Sequence, residues 1–383
     1  MSKILELLQR IETPNQNLFE APVYQSNPES SPSFIEPIEN EEPLEFEPKL
    51  IPIASGKGGV GKTNIAVSLS IALADRLKEK NSKDEVILVD CDFGLPNADI
   101  ILGVKHRRTI DDFISKRIDS LSSAVSPTQY PGLNFLSGSS TPSMTLSHFQ
   151  YQQRQKFLRN LRSLRSRFIV LDLGASVHLE VIDFFSMVNS GIVITNPEPT
   201  AMRDSFLFIR ATLMRKLKKE TSDMPVSTRL LDSLENGMLE IPSVPGLLNE
   251  LKKSGELMEY KTLKAILNAF RPKLIVNRAE DFNEGLEVAK KMRDSARREL
   301  GIEITFLGPV LQDACVVKSV KEAAPFVKRY PDCDASHWVR NIAQRVEENT
   351  DFEIERNYFS FGSYLKRLFG KGSSPALNTA AAL

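Results

Sequence analysis

The eight residues from Gly56 to Thr63 read GKGGVGKT and constrain the fold more than any other part of the chain. They fit the pattern G-x-x-x-x-G-K-[ST] of phosphate-binding loops. An apolar run at 50–54 precedes them and predicts a strand, and the segment 64–74 is apolar at helical spacing. This order of strand, glycine loop and helix separates a phosphate-binding loop from a chance match, so the sequence predicts a nucleotide site.

The pattern also assigns roles within the loop. Backbone N–H groups of a glycine-rich loop turn towards phosphate oxygens, and the helix that follows adds the positive end of its dipole. The lysine reaches the β- and γ-phosphates, and the hydroxyl after it binds Mg²⁺. We therefore expect a nucleotide with a phosphate chain, together with Mg²⁺, as the ligands of this loop. The predicted nucleotide-binding residues are Gly58, Gly59, Val60, Gly61, Lys62, Thr63 and Asn64.

Further apolar runs indicate the fold class. They lie at 86–90, 133–136, 167–172, 190–196, 272–277 and 304–308, with helical segments between them. Continuous apolar runs of this kind are typical of a parallel sheet covered on both faces. We predict a three-layer, doubly wound α/β fold with a mainly parallel sheet. Ligands bind at the carboxyl ends of such strands, where Asp90 and Asp172 end their runs beside the loop.

Composition excludes several function classes. The 383 residues include 49 Lys and Arg against 49 Asp and Glu, so the overall charge does not favour nucleic acid. Cys91, Cys315 and Cys333 lie far apart without metal-ligand spacing, which argues against an iron–sulfur protein and indicates a reducing compartment. A secretory signal and a run of about 18 apolar residues are both missing, so we expect a cytoplasmic protein.

Composition also divides the chain. Residues 1–11 place apolar side chains at helical spacing and predict a short amphipathic helix, which either docks on a partner protein or packs back on its own domain. Residues 12–49 contain seven prolines and many glutamates and predict a disordered acidic linker. We assign 50–350 to the nucleotide-binding domain, with a helical insertion at about 216–270 that carries no chemical motif.

The tail, 351–383, contains a second distinctive segment at 359–371, FSFGSYLKRLFGK. Apolar residues opposite cations on a helix are typical of a helix that lies in a membrane interface. The free energy that one short helix gains by burying apolar side chains in a membrane is largely offset by the entropy lost when the helix becomes ordered. Two such tails on a dimeric protein would attach more firmly, because the second tail binds at a high effective concentration. Packing on the chain's own domain or on a protein is the alternative. The predicted membrane residues are Phe361, Tyr364, Leu365, Lys366, Arg367, Leu368 and Phe369.

Several of these segments resemble those of the MinD/ParA ATPases. The loop KGGVGKT, with its early Lys57, resembles the deviant Walker A loop, whose first lysine reaches the partner's nucleotide in an ATP-bound homodimer. The segment VDCDFGLPNAD at 89–99 resembles switch I. This resemblance implies that Asp92 orients the attacking water and that Asp90 lies near the waters of the metal, and it makes Lys57, Lys62 and Asp92 the catalytic residues.

Three more segments extend the resemblance over roughly 50–347, apart from the insertion. LDLGA at 171–175 resembles the Walker B region and implies that Asp172 supports Mg²⁺, although Ser176 replaces a common glycine. TNPEPTAMRDS at 195–205 resembles MinD and the flagellar-number ATPases FlhG and FleN, and implies that Asp204 pairs with the signature lysine at the dimer interface. Asn277 matches a base-reading asparagine, whose amide both donates and accepts.

The resemblance implies a MinD-like ATPase that dimerises on ATP, attaches to the inner face of the cell membrane through the tail and resets by hydrolysis. A role in placing or counting a surface structure such as flagella, or the division site, would follow. One alternative is a ParA-like DNA or cargo partition ATPase, although the tail makes DNA a less favoured partner. Another is a nucleotide-gated scaffold with little hydrolysis, which Ser176 in switch II would suit.

Overall fold

The computed structural model describes residues 47–92, 97–138, 151–175, 178–235 and 243–352. The predicted helix at 1–11, nearly all of the acidic linker and the tail helix at 359–371 lie outside these residues. Gly94 of the switch I segment and Ser176 of switch II lie outside them as well. The nucleotide loop and both aspartate-ended strands lie within them.

An eight-stranded sheet forms the centre of the domain. Its strands are β1 (Lys49–Ser55), β2 (Val86–Cys91), β3 (Ser126–Pro127), β4 (Leu133–Leu136), β5 (Phe168–Ala175), β6 (Ile192–Thr195), β7 (Lys273–Ala279) and β8 (Thr305–Leu311). Their order across the sheet is β3-β4-β2-β5-β1-β6-β7-β8. The pairings are parallel except between β3 and β4. The predicted doubly wound, mainly parallel α/β fold is confirmed.

Helices cover the sheet, and most of them connect consecutive strands. They are α1 (Lys62–Glu79), α2 (Ala98–Leu102), α3 (Ile110–Ile114), α4 (Tyr151–Arg162), α5 (Leu179–Phe185), α6 (Pro199–Glu220), α7 (Pro225–Glu235), α8 (Val244–Ser254), α9 (Leu257–Ala269), α10 (Phe282–Ser295), α11 (Ala314–Lys321), α12 (Phe326–Arg329) and α13 (Asp334–Glu348). None of the described helices is long and apolar enough to cross a membrane.

The core lies on both faces of the sheet. All six residues of β2 are buried, as a central parallel strand requires. Helix α1 buries Ile65, Leu69 and Leu73 against one face. The last helix, α13, buries Trp338 and Ile342 where it packs beside α1 and β8. The helix that starts at the phosphate loop is therefore held firmly against the sheet.

The region at 216–270 consists of the end of α6 and the helices α7, α8 and α9, with 236–242 outside the described residues. A buried carboxylate joins two of these helices. Glu259 Oε2 accepts hydrogen bonds from the backbone N–H of Ser227, at 2.6 Å, and from its hydroxyl, at 2.5 Å. These contacts satisfy a carboxylate that would otherwise be costly to bury, so Glu259 has a structural explanation.

The packed domain extends slightly beyond the predicted limits of 50 and 350. Strand β1 begins at Lys49. At the other end, Phe352 is buried, and its ring lies 5.8 Å from that of Phe306, measured between centroids. Asp351 Oδ1 accepts a hydrogen bond from the backbone N–H of Phe306 at 2.9 Å. Residues 351 and 352 therefore belong to the domain, because both contact Phe306 of β8.

Candidate nucleotide-binding site

The phosphate loop joins the carboxyl end of β1 to the first turn of α1. Gly61 precedes α1 with a φ of 87°, a left-handed conformation that favours glycine. A Cβ on Gly56 would lie 2.1 Å from the carbonyl carbon of Asp204, so the close approach of α6 requires glycine there. A Cβ on Gly58 would meet nothing within 4 Å. The loop therefore curls as a phosphate cradle must, with open space at its tip.

Lys62 forms a buried ion pair with the aspartate that ends the apolar part of β5. Its Nζ lies 2.5 Å from Asp172 Oδ1, and the two side chains are 6% and 1% exposed. The second oxygen, Asp172 Oδ2, is buried and has no hydrogen-bond partner among the described residues. A buried carboxylate oxygen without a partner is costly unless a cation or water approaches it.

Asp90 lies beside Asp172, because the two residues are in register on the neighbouring strands β2 and β5. Its carboxylate accepts backbone N–H groups from Asp92 at 3.0 Å, and from Asn97 and Ala98 at 3.1 Å each. Burial, and then the charge of Asp172, raise the pKa of Asp90 to about 7. Two adjacent buried carboxylates, of which Asp172 is paired with Lys62, suit a further cation.

The three hydrogen bonds to Asp90 give it a role that the sequence did not reveal. They hold the two ends of the segment that carries the switch I motif, on either side of residues 93–96. Asp92 Oδ1 lies 3.9 Å from the position that a Cβ would take on Gly174 of β5. The predicted water-orienting aspartate thus faces the glycine of the Walker B segment, and Asp90 fixes its backbone.

Asn277, at the carboxyl end of β7, contacts the phosphate loop directly. Its Nδ2 donates a hydrogen bond to the carbonyl of Val60 at 2.7 Å, and the residue is 8% exposed. The amide group lies so close to Gly61 that a Cβ there would be 2.5 Å from Nδ2. One amide N–H is therefore used to hold the loop, while the amide oxygen and the second N–H keep the capacity to contact a base.

Lys57 contacts the start of α6 rather than the aspartate that the resemblance implied. Its Nζ lies 2.9 Å from Glu198 Oε2 and 3.0 Å from the hydroxyl of Thr200. The hydrogen bond from Lys57 lowers the pKa of Glu198. Asp204 instead accepts hydrogen bonds from Arg203. The Lys57–Asp204 pair is not formed within this chain, and its role across a dimer interface stays a prediction.

The structure brings most predicted site residues to one edge of the sheet. Thr63 and Asn64 lie in the first turn of α1 and are partly exposed. Glu198 and Thr200 were not predicted as partners of Lys57, although both lie inside the segment that resembles MinD and FlhG. Lys57 follows β1 and Glu198 follows β6, so both lie at the carboxyl edge of the sheet. The predicted strands therefore already indicated that these two side chains would be close.

The site fits a nucleotide with Mg²⁺. The loop supplies backbone N–H groups around open space, and Lys62 supplies a cation at its base. Thr63 and the free oxygen of Asp172 supply the oxygen atoms that Mg²⁺ prefers. These are chemical features of the side chains present, and they agree with the expected ATP and Mg²⁺.

Comparisons with known proteins agree with this site. A family model described as the CobQ/CobB/MinD/ParA nucleotide binding domain matches residues 51–326. The chain belongs to this family, and the resemblance seen in the sequence is confirmed. The matched region includes the phosphate loop and the residues Asp90, Asp172 and Asn277. Strand β1, which leads into the loop, begins two residues before it.

Individual relatives are distant but cover most of the chain. Antiactivator FleN of Pseudomonas aeruginosa is 22% identical over 301 residues, which cover 78% of this chain and 86% of FleN. Septum site-determining protein MinD of Buchnera aphidicola is 29% identical over 329 residues, covering 84% and 99%. The structure of Pyrococcus horikoshii MinD complexed with Mg-ADP matches with a TM-score of 0.50 and 19% identity, covering 79% and 96%. The last match shows the shared fold.

Proposed function

We propose that this chain is an ATP-driven switch of the MinD type. It binds ATP with Mg²⁺, forms a homodimer through the surface around Lys57, and returns to the monomer by hydrolysing ATP. The observation that carries the proposal is the group of Lys62, Asp172 and Asp90 at the base of an open glycine loop. The related MinD of Pyrococcus horikoshii, which shares the fold, is complexed with Mg-ADP.

The residues of the site divide the work as follows. Lys62, which pairs with Asp172 here, would hold the phosphates, and Asp172 would hold the hydrated metal. Asp90 holds the backbone on both sides of switch I, so that Asp92 can orient a water in line with the terminal phosphate. Bound ATP would supply the reactive phosphoanhydride, and Mg²⁺ would neutralise the negative charge of its phosphates. Asn277 keeps the loop in shape and reads the base with its free amide atoms.

Lys57 links nucleotide binding to dimerisation. Without a partner it is held by Glu198 and Thr200, and its side chain is 39% exposed. An exposed ion pair of this kind contributes little, so an incoming phosphate on a partner subunit can displace it. The same lysine would then stabilise the dimer, with Asp204 at the interface.

The catalytic part of the proposal is tested by ATP turnover in the full chain. We expect Mg²⁺-dependent release of phosphate that is lost in Asp92→Ala, while binding of a fluorescent ATP analogue is retained. Asp119→Ala, the same change at an exposed aspartate outside the switch I segment, is the matched control and should keep turnover. Unchanged turnover in Asp92→Ala would refute the role of Asp92. Tight binding with no turnover in the unaltered chain would favour the scaffold alternative.

The tail adds a membrane step to this cycle. Its residues lie outside the described structure, so the support is the pattern of the sequence alone: apolar residues 361, 364, 365, 368 and 369 on one helical face, with Lys366 and Arg367 beside them. Two tails on one ATP-bound dimer attach with a high effective concentration. Attachment to the inner face of the cell membrane would therefore follow the nucleotide state.

Sedimentation with vesicles of anionic and neutral phospholipids tests the membrane step. We expect the full chain to pellet with ATP but not with ADP. Leu365→Gln with Leu368→Gln keeps every charge and should abolish pelleting while ATP turnover continues. Absence of pelleting with either nucleotide would refute membrane attachment. Salt-dependent binding of duplex DNA in its place would favour the ParA-like alternative.

The biological output that fits this cycle is the placement or number of a cell-surface or division structure. The support comes from two relatives, one named antiactivator FleN and the other named septum site-determining protein MinD. The segment TNPEPT at 195–200 favours the flagellar branch. Deletion of the gene should change the number or position of flagella, whereas a change confined to septum position would favour the division role. A partner protein would dock on the switch regions or through residues 1–11.

A further inference from the structure

A second group of ligand atoms lies outside the nucleotide site. The carboxylate of Asp313 and the thiols of Cys315 and Cys333 have their ligand atoms within 4.8 Å of one another. All three side chains are partly exposed, so they are accessible from solvent. The rest of α11 and all of α12 lie between the two cysteines in the sequence, which is why their spacing alone gave no sign of a site.

Hydrogen bonds to Asp313 explain why the three residues meet. Asp313 precedes α11, and its Oδ1 accepts the backbone N–H of Cys315 at 2.8 Å. Its Oδ2 accepts the backbone N–H of Ala335 at 3.4 Å, in the first turn of α13. Cys333 is the residue that precedes α13. A single carboxylate therefore joins the amino ends of two helices and brings one thiol with each.

The three ligands have the chemistry of a zinc site. Zn²⁺ binds Cys sulfur at about 2.3 Å and carboxylate oxygen at about 2.0–2.2 Å in tetrahedral sites, which places neighbouring ligand atoms roughly 3.5–4 Å apart. The observed ligand atoms all lie within 4.8 Å of one another, which is close to this spacing. Mg²⁺ and Ca²⁺ prefer oxygen ligands, so the two thiols select a softer cation.

The charges around the group agree with a bound dication. Metal binding would release the two thiol protons to solvent and form two metal–sulfur bonds. Two thiolates, one carboxylate and one dication leave a net charge of −1. The amino ends of α11 and α13 favour such a negative charge.

We propose that Asp313, Cys315 and Cys333 form a binding site for Zn²⁺ or a similar soft divalent cation, with water in the fourth position. The site joins the end of β8 and helix α11 to helix α13. Since α13 packs against β8 and α1, the metal would hold together the elements that support the phosphate loop from behind. The site is separate in its residues from the predicted Mg²⁺ position.

Titration of the nucleotide-free full chain with Co²⁺, under a non-thiol reductant, tests the proposal. Thiolate ligation to Co²⁺ gives an intense sulfur-to-metal absorption that oxygen ligands do not produce. We expect one equivalent to bind, Zn²⁺ to displace it, and the melting temperature to rise with bound metal. Affinity should fall as the pH is lowered, because the thiols must lose their protons.

Three variants make the test specific. Cys315→Ser with Cys333→Ser should abolish the absorption, whereas Cys91→Ala, in the buried thiol of β2, should keep it. Asp313→Asn retains a good helix cap, yet it should weaken Co²⁺ binding by about tenfold or more, since even indirect partners of a metal contribute about 10–100-fold.

Absence of the absorption in the reduced, unaltered chain would overturn the proposal. So would an absorption that persists in the double variant. Recovery of a Cys315–Cys333 disulfide from protein that binds no metal after reduction would identify a redox pair instead of a metal site. Because none of these readouts requires ATP, their failure is distinguishable from failure of the proposed ATPase function.

Discussion

Lys62 Nζ lies 2.5 Å from Asp172 Oδ1, in a pair buried below the phosphate loop. The lysine that phosphate-binding loops use for the β- and γ-phosphates is thus already in place, with a carboxylate as its partner. Asp90, in register with Asp172 on the next strand, adds a second buried carboxylate. We expect nucleotide binding to exchange the contact between Lys62 and Asp172 for one between Lys62 and the phosphates.

The buried pair should contribute strongly to stability in the absence of nucleotide. Lys62→Met keeps much of the apolar volume but leaves Asp172 and Asp90 without their cation. We expect the free energy of unfolding to fall by about 3–5 kcal/mol, because breaking a buried pair leaves an uncompensated charge. Urea unfolding without nucleotide measures this loss.

Lys57→Ala is the matched control for that measurement. It removes a lysine of the same loop whose ion pair with Glu198 is largely exposed. Exposed pairs contribute little to stability because solvent screens them, so the fall in unfolding free energy should be small. Equal small losses in both variants would show that the Lys62–Asp172 pair does not stabilise the domain.

Asn277→Ala should weaken ATP binding through the loop. The substitution leaves the carbonyl of Val60 without the donor that lies 2.7 Å away. A typical hydrogen bond contributes about 0.5–1.5 kcal/mol, so we expect affinity to fall roughly 2- to 10-fold, and further if the amide also contacts the base. Titration with a fluorescent ATP analogue measures the affinity. Identical affinities for the two proteins would show that Asn277 does not support nucleotide binding.

Lys273 should make the stability of the domain depend on alkaline pH. Burial, and then the charge of Lys49, lower the pKa of Lys273 from 10.5 to about 8. Between these values the unfolded chain holds the proton and the folded chain does not, so stability rises with pH. Its Nζ lies 2.8 Å from Asn349 Oδ1. Lys273 begins β7, so it lies at the amino end of the strand, opposite the edge of the sheet that carries the phosphate loop.

Urea unfolding of the unaltered chain and Lys273→Met, from pH 7 to pH 10, isolates this contribution. The difference in unfolding free energy, unaltered chain minus variant, should increase as the pH rises above 8. This sign follows because the penalty for a buried charge on Lys273 is present at lower pH and disappears on deprotonation. A difference that stays constant across the range would mean that Lys273 titrates at the same pH in both states.

Much of this architecture could be predicted because its signals are local in the sequence. Apolar runs identified the strands from β4 to β8, and the predicted ends of these strands differ from the observed ends by three residues or fewer. The glycine pattern located the turn between β1 and α1. Strand β3 was not predicted, since it has two residues, one of them Pro127, and pairs only at the edge of the sheet. The packing of Phe352 depends on Phe306, which is distant in the sequence.

The positions of the candidate site residues near the strand ends could be predicted from the sequence, but their contacts could not. Asp90 was expected near the metal because its segment resembles switch I, yet its contacts with the backbone of 92, 97 and 98 arise only once the chain has turned back. The contact between Lys57 and Glu198 depends on the relative positions of two loops at the sheet edge. Cys315 and Cys333 meet because two helices share one capping carboxylate.

The mass of the particle in solution, measured by light scattering, tests the central claim most directly. The account predicts that the full chain has twice the monomer mass with Mg²⁺ and a non-hydrolysable ATP analogue, and the monomer mass with ADP. Lys57→Ala should still bind the analogue but stay monomeric. The same mass with both nucleotides, or a Lys57→Ala variant that dimerises normally, would contradict a nucleotide-switched dimer.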